Sequence, residues 1–203
     1  MSQPVSSPAT LRRNIRQQRA ALPGKQQQRL SQQIARHLHG NAHFRKAIHI
    51  ALYIPVRGEA DPRSLRTWAL PRQHFYLPVL SPFRDQRLWF IHWDQHTRFR
   101  HNRFQIPEPR ICYARSRPAR WLDLVITPLV AFDHTGTRMG MGGGFYDRTF
   151  AFKRTLAHQP RPHLSGYAYA FQQANALLRQ PWDVPLNSAC TESGFSLFST
   201  RQY

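Results

Sequence analysis

The stretch Ile48-His49-Ile50-Ala51-Leu52-Tyr53-Ile54, closed by Pro55, decides the fold. Its apolar character is continuous rather than alternating, as expected of a strand covered on both faces. A second run of this kind, Leu122-Asp123-Leu124-Val125-Ile126-Thr127, ends at Pro128. Residues Phe75 to Leu80, Leu88 to Trp93 and Leu164 to Ala170 read as further strands. Leu11, Ile15, Leu22, Leu30, Ile34 and Leu38 recur at spacings of three and four and their multiples, interrupted by Pro23-Gly24. That pattern predicts two amphipathic helices joined by a turn. Asp61-Pro62 suits the cap and first turn of a short helix through Leu70, and Phe145 to Leu156 predicts another. Between Asp94 and Trp121 no period is evident, so an irregular excursion with room for one short strand is expected. Strands alternating with helices predict an α/β fold: a single three-layer domain over residues 11–203, with a mostly parallel central sheet flanked by helices. Residues 1–10 are expected to be a flexible tail. In such sheets ligands bind outside the carboxyl ends of the strands.

Composition narrows the function classes. With 203 residues, 41% hydrophobic and 12% aromatic, the chain is long enough for one filled core and too apolar for a disordered polyampholyte. Its uncharged runs are too short to span a bilayer, and its N-terminus lacks the apolar stretch of a secretory signal. Two cysteines, Cys112 and Cys190, are too few for a disulfide scaffold and have no metal-ligand spacing, so both are expected to be structural. A soluble, cytoplasmic protein is the expectation. Lys and Arg number 29 against 10 Asp and Glu, a net charge of +19. Such a field attracts polyanions, from nucleic acid to nucleotides and polycarboxylates. The basic residues run from Arg12 to Arg201 without gathering into one stripe, so the charge reads as diffuse and no specific nucleic-acid partner is expected.

The chemistry concentrates in Arg138-Met139-Gly140-Met141-Gly142-Gly143-Gly144-Phe145-Tyr146-Asp147-Arg148. Four glycines in five positions leave backbone amides uncovered and permit positive φ angles, so successive N–H groups can converge on an anion. Arg138 and Arg148 add charge beside it. Two familiar phosphate loops do not fit: a Walker loop needs Gly-Lys-Ser/Thr where this chain has Gly144-Phe145-Tyr146, and the dinucleotide pattern begun at Gly140 needs glycine where Phe145 stands. The segment reads as a phosphate-binding loop of another kind. Among the acidic residues, Asp61 is explained locally as a helix cap, whereas Glu59, just past the end of a buried strand, has no such explanation.

This loop, together with Leu122 to Asp133, resembles the signature of the 5-formyltetrahydrofolate cyclo-ligase family, also called methenyltetrahydrofolate synthetases. The likeness extends to the Leu-Arg-x-x-Ile-Arg-x-x-Arg start at Leu11, the segment from Tyr53 to Asp61, Phe104-Gln-Ile-Pro-Glu-Pro109, and Asp183 through Glu192. It implies an enzyme that uses ATP and Mg²⁺ to activate the formyl oxygen of 5-formyltetrahydrofolate as a phosphorylated imidate, closing the ring to 5,10-methenyltetrahydrofolate with release of ADP and phosphate. Catalysis is then positioning and charge neutralisation.

Residue by residue, the resemblance implies ATP contacts at Arg12 and from Arg138 through Tyr146 (Met139, Gly140, Met141, Gly142, Gly143, Gly144 and Phe145 between them), with Arg138 and Tyr146 as catalytic groups. It implies folate contacts at Ile54, Glu59, Phe104 and the loop interior from Met141 to Phe145. Glu59 would hydrogen-bond the amino-pyrimidinone, and Asp147 and Asp183 would lie at Mg²⁺. Where some relatives carry a lysine, this chain has Pro8, with Arg13 or Arg16 as the candidate substitute. Where some carry Arg and Lys inside the loop, it has Met141 and Gly143, which leaves more of the work to backbone amides and outer arginines. The implied ligands are ATP and 5-formyltetrahydrofolate, with or without a polyglutamate tail, and a monomer is expected. Two rivals stand beside it: a basic RNA- or DNA-binding module in which the glycine loop contacts backbone phosphate, and another phosphoester-binding enzyme on the same fold, such as a sugar-phosphate isomerase or CoA transferase, for which Glu59 is the residue that discriminates.

Overall fold

The computed structural model describes residues 7–155 and 161–198. Helices α1 (Pro8–Ala21), α2 (Gly24–Gly40) and α3 (Ala42–Lys46) lead into strand β1 (His49–Ala51) and the short helix α4 (Ser64–Thr67). Strands β2 (His74–Leu80) and β3 (Leu88–His92) follow, then β4 (Phe99–His101), β5 (Pro107–Pro109) and β6 (Ser116–Arg117). Next come β7 (Leu124–Thr127), β8 (Ala131–Phe132), β9 (Arg138–Met139), α5 (Phe145–Thr149) and α6 (Phe152–Thr155). The last elements are β10 (His163–Tyr167), β11 (Ser188–Thr191) and β12 (Gly194–Leu197).

Eight strands form one sheet in the order β12-β11-β10-β7-β1-β2-β3-β6. The five from β11 to β2 are mutually parallel, and β12, β3 and β6 add antiparallel edges. Central strand β1 sets the register, with Ile50 opposite Phe75 on one side and Leu124 on the other. Its alternate residues enter different cores, as a two-face strand requires. Ile50 packs with Ile34, Leu38 and Phe44 from α2 and α3, whereas Ala51 packs with Tyr76, Val125 and Phe150 on the opposite face. Leu38 and Phe150 are fully buried; truncating Leu38 to alanine would cost about 2–5 kcal/mol. Asp123 is tolerated beside these apolar runs because its Oδ2 accepts the amides of Ile48 and His49 at 3.0 and 2.9 Å. No helix among the described residues is long and apolar enough to cross a membrane.

The expected three-layer α/β arrangement with a mostly parallel sheet is what the chain adopts. Details differ. Helix α1 begins at Pro8, inside the stretch expected to be a tail, because Ser7 caps it by accepting the Thr10 amide at 3.2 Å and proline suits the first turn. Residues 1–6 lie outside the described residues. The helix expected from Phe145 breaks at Phe150 into α5 and α6, and Leu156 lies outside the described residues. The excursion from Asp94 to Trp121 holds three short strands rather than one. Strands β11 and β12 escape a reading by apolar runs: Ser188-Ala189-Cys190-Thr191 is small and polar, yet fully buried, with Ser188 Oγ donating to Ser165 Oγ at 2.9 Å. Cys190 is buried, and burial pushes its thiol up to about 12, while Cys112 is exposed, against the expectation that both cysteines are structural.

Candidate ligand-binding site

The loops that follow the carboxyl ends of β1 and β7 meet at one edge of the sheet. After β7 the chain makes the small antiparallel pair of β8 and β9 and enters the glycine loop. Gly142 (φ +93°) and Gly144 (φ +61°) occupy the left-handed region that side-chain-bearing residues avoid. The amides of Gly140, Met141, Gly142, Gly143 and Gly144 donate to no protein group among the described residues, which leaves five backbone donors in one exposed turn. Met141 is 46% exposed at its tip.

Three arginines shape this turn. Arg12, from α1, donates Nε to the Gly140 carbonyl at 3.1 Å. Arg148 donates to the carbonyl of Gly143 and, through Nε, to that of Gln86 at 3.3 Å. Arg138 is only 6% exposed and is committed to the protein: it pairs with Asp147 Oδ1 at 2.6 Å and donates to the Val184 carbonyl. Arg138 therefore buckles the loop to α5, and Arg12 and Arg148 hold its two ends. Tyr146 packs on Phe150 with ring centroids 6.2 Å apart. Burial, with the nearby Glu59 carboxylate second, pushes its phenol well above the ordinary range.

The loop after β1 carries Ile54, half-buried against the main core, and Glu59. The Glu59 side chain is 8% exposed; Oε2 accepts the Val56 amide at 3.1 Å and Oε1 faces Arg19 Nη1 at 3.6 Å. Burial raises the Glu59 carboxyl above its usual range, while the Val56 amide, Arg19 and Arg57 oppose that shift. Glu59 lines a cavity of about 490 Å³ with Gln27, Ser31, Val56, Arg57 and Asp61. Arg57 also lines a neighbouring groove of about 710 Å³ formed by Arg12, Arg13 and Arg16 of α1. The turn between β4 and β5 brings Phe104 to the glycine loop. Phe104 is 50% exposed and meets Phe145 edge-on at 5.9 Å, with the Arg103 guanidinium 5.0 Å over its ring.

Asp147 and Asp183 are neighbours through Val184, whose amide donates to Asp147 Oδ1 at 3.1 Å. Asp183 Oδ2 accepts the Gln180 amide at 2.8 Å. Each keeps one oxygen, Asp147 Oδ2 and Asp183 Oδ1, without a protein partner among the described residues. No group of three or more metal-ligating side chains occurs among the described residues.

The candidate residues thus gather in one region: Arg12, the loop from Arg138 to Tyr146, Phe104, Asp147 and Asp183 around the glycines, with Ile54 and Glu59 on the neighbouring wall. Sequence reasoning missed Arg19, Arg57 and Arg103. Arg19 had a signal, since it stands on the apolar stripe of α1 between Ile15 and Leu22, where a leucine would be ordinary. Arg57 (φ +51°) and Arg103 carry none in the sequence.

A parallel sheet with an amide-rich turn and a buried carboxylate in the loops past its strands defines the class: an α/β protein whose candidate site lies outside the carboxyl ends of its strands. Residues 5–192 match the 5-formyltetrahydrofolate cyclo-ligase family. The 5-formyltetrahydrofolate cyclo-ligase of Haemophilus influenzae is 38% identical over 177 residues, 87% of this chain and 92% of that protein. That of Escherichia coli K12 is 38% identical over 181 residues, 88% of this chain and 97% of that protein. The solution structure of Aquifex aeolicus 5,10-methenyltetrahydrofolate synthetase superposes with a TM-score of 0.79 at 26% identity, covering 98% of this chain and 96% of that one. The chain belongs to the 5-formyltetrahydrofolate cyclo-ligase family.

Proposed function

We propose that this protein catalyses the ATP- and Mg²⁺-dependent cyclisation of 5-formyltetrahydrofolate to 5,10-methenyltetrahydrofolate, with release of ADP and phosphate. Family membership supports the ligase reaction. The observation that carries the rest is the pairing, in one site, of five uncommitted loop amides with a buried carboxylate. Amides converging on an exposed turn suit the oxygens of a triphosphate. A carboxylate with spare lone pairs suits the adjacent N–H donors of an amino-pyrimidinone.

The formyl oxygen, a poor leaving group, takes the γ-phosphoryl group to give a phosphorylated imidate. The neighbouring exocyclic nitrogen then attacks the formyl carbon, loses its proton, and expels phosphate as the ring closes. The protein's contribution is to hold both substrates in line. Arg12 and the amides of Gly140 to Gly144 would carry the phosphates, Arg138 would keep the loop closed onto α5, and Tyr146 would order its base. Met141, Phe145 and Phe104 would cover the folate, with Ile54 and Glu59 gripping its ring. The free oxygens of Asp147 and Asp183 fit a phosphate-bound Mg²⁺, which takes one or two carboxylates with water and phosphate oxygens; it would neutralise charge on the phosphates.

A polyglutamate tail on the substrate would be drawn by the positive field. A monomeric, cytoplasmic, single-domain enzyme completes the reading. Pure protein incubated with 5-formyltetrahydrofolate, Mg²⁺ and ATP should develop the absorbance of the methenyl product. No development without ATP is expected; equal rates with and without it, or none with it, would refute the proposal.

A further inference from the structure

Arg19 is the one fully buried cation of α1. Its residue exposure is 1%, and none of Nε, Nη1 and Nη2 has a hydrogen-bond partner among the described residues. A guanidinium in that state is costly, and an apolar side chain would complete the stripe of Ile15 and Leu22 without the cost. Stability therefore does not account for it. Glu59, whose side chain is 8% exposed on the cavity it lines, lies 3.6 Å from Arg19 Nη1. The spacing is fixed by backbone packing: Gly58 has φ +74°, and a Cβ there would come within 3.0 Å of the Arg19 carbonyl oxygen. Helix α1 and the Glu59 turn are thus packed closely at a position that favours glycine.

We propose that Arg19 is a positioning residue: from behind the pocket wall it holds the Glu59 carboxylate in place for the folate ring, and so sets how tightly that ring binds without touching it. The inference rests on the assignment of the Glu59 cavity to folate made above. The groups facing Glu59 are the cations Arg19 and Arg57, the phenols of Tyr53 and Tyr146, and Asp61 beyond Tyr53. Only ionised Glu59 can accept two ring N–H bonds. Burial favours its neutral form and Arg19 opposes this, so removing Arg19 lets Glu59 take up a proton at higher pH. Binding should then weaken at neutral pH and return as the solution is made alkaline.

The test is calorimetric binding of 5-formyltetrahydrofolate and, separately, of ATP between about pH 6 and pH 9, a window in which a buried carboxyl stripped of its cation can titrate. For Arg19→Met the folate affinity is expected to fall about tenfold or more at pH 7 and to recover toward the unmodified protein as pH rises. ATP affinity should stay unchanged throughout, and Arg19→Lys should keep most of the folate affinity. Parallel loss of both ligands, or a folate loss of the same factor at every pH, overturns the proposal. If Arg19→Met does not fold, the melting temperatures of Glu59→Gln and of the double variant Arg19→Met/Glu59→Gln are compared. The double variant should melt higher than Glu59→Gln alone, because no buried charge is left unpaired, and an equal or lower Tm counts against the pair. Failure of the underlying reading has a different signature: Glu59→Gln by itself would then leave folate affinity untouched.

Discussion

The glycine loop turns five uncommitted amides and the half-exposed Met141 toward solvent, whereas Glu59 is 8% exposed and braced by an arginine that is itself at 1%. The first wall takes its shape from glycine backbone and from arginines reaching in from other elements, and its outer turn is exposed. The second is part of the core that packs α2 against the sheet. The contrast matches the two ligands proposed. A triphosphate is flexible, strongly charged and recognised by many equivalent donors, while a pterin edge is flat and rigid and needs one acceptor held in one place. Changes in the loop should therefore alter phosphate binding with little effect on stability, and changes around Glu59 should alter both folate binding and the fold.

The largest effect is expected from Gly144→Val. A Cβ there meets the Arg148 guanidinium at 3.0 Å, and the φ of +61° is strained for a branched residue. Turnover should fall about a hundredfold or more, the scale of losing oriented backbone donors, with a melting temperature lower by only a few degrees. If activity survives, the loop is not the phosphate cradle. Arg12→Ala removes one charge and the bond to Gly140. About tenfold in KM for ATP is expected from one charge-assisted contact, with KM for folate unchanged, and an effect confined to folate would reverse the assignment of the two walls.

Phe104→Ala should be milder, about two- to tenfold in KM for folate, because an exposed aromatic pair is worth about 0.5–1.5 kcal/mol. A rise in KM for ATP alone would move Phe104 to the other wall. Away from both walls, with no effect expected on either ligand, sits His163, whose ring pKa is lowered to about 3 by burial, with His43 and Lys153 adding to it. A folded pKa below the unfolded one means that the unfolded chain binds the extra proton. The contribution of His163 is thus intact above about pH 6.5 and is lost as pH falls from there toward 3, at up to ~1.4 kcal/mol per pH unit. His163→Gln should flatten the decline of Tm between about pH 6.5 and 5; an unaltered slope would show the ring is not buried neutral.

Much of this was legible in the sequence, for reasons that differ by region. The strands β1 and β7 announce themselves because covered parallel strands need continuous apolar residues. The glycine loop is legible because positive φ at Gly142 and Gly144 leaves few alternatives to glycine. Strands β11 and β12 were not, since Ser188 and Thr191 are buried by hydrogen bonds that composition does not reveal. Arg12 and Phe104 came from resemblance and were then found against the loop. The commitment of Arg138 to Asp147 could not be read from spacing, whereas the burial of Arg19 had a signal in its place on the apolar stripe between Ile15 and Leu22.

The division of labour between the walls is tested most directly by measuring the affinities of Glu59→Gln for 5-formyltetrahydrofolate and for ATP, each alone, on protein shown by its melting curve to be folded. The account predicts folate binding weaker by about ten- to a hundredfold, the range for hydrogen bonds to a charged group, and ATP binding within about twofold of the unmodified protein, as for a wall that does not touch it. Equal loss of both ligands, or loss of ATP alone, would contradict it.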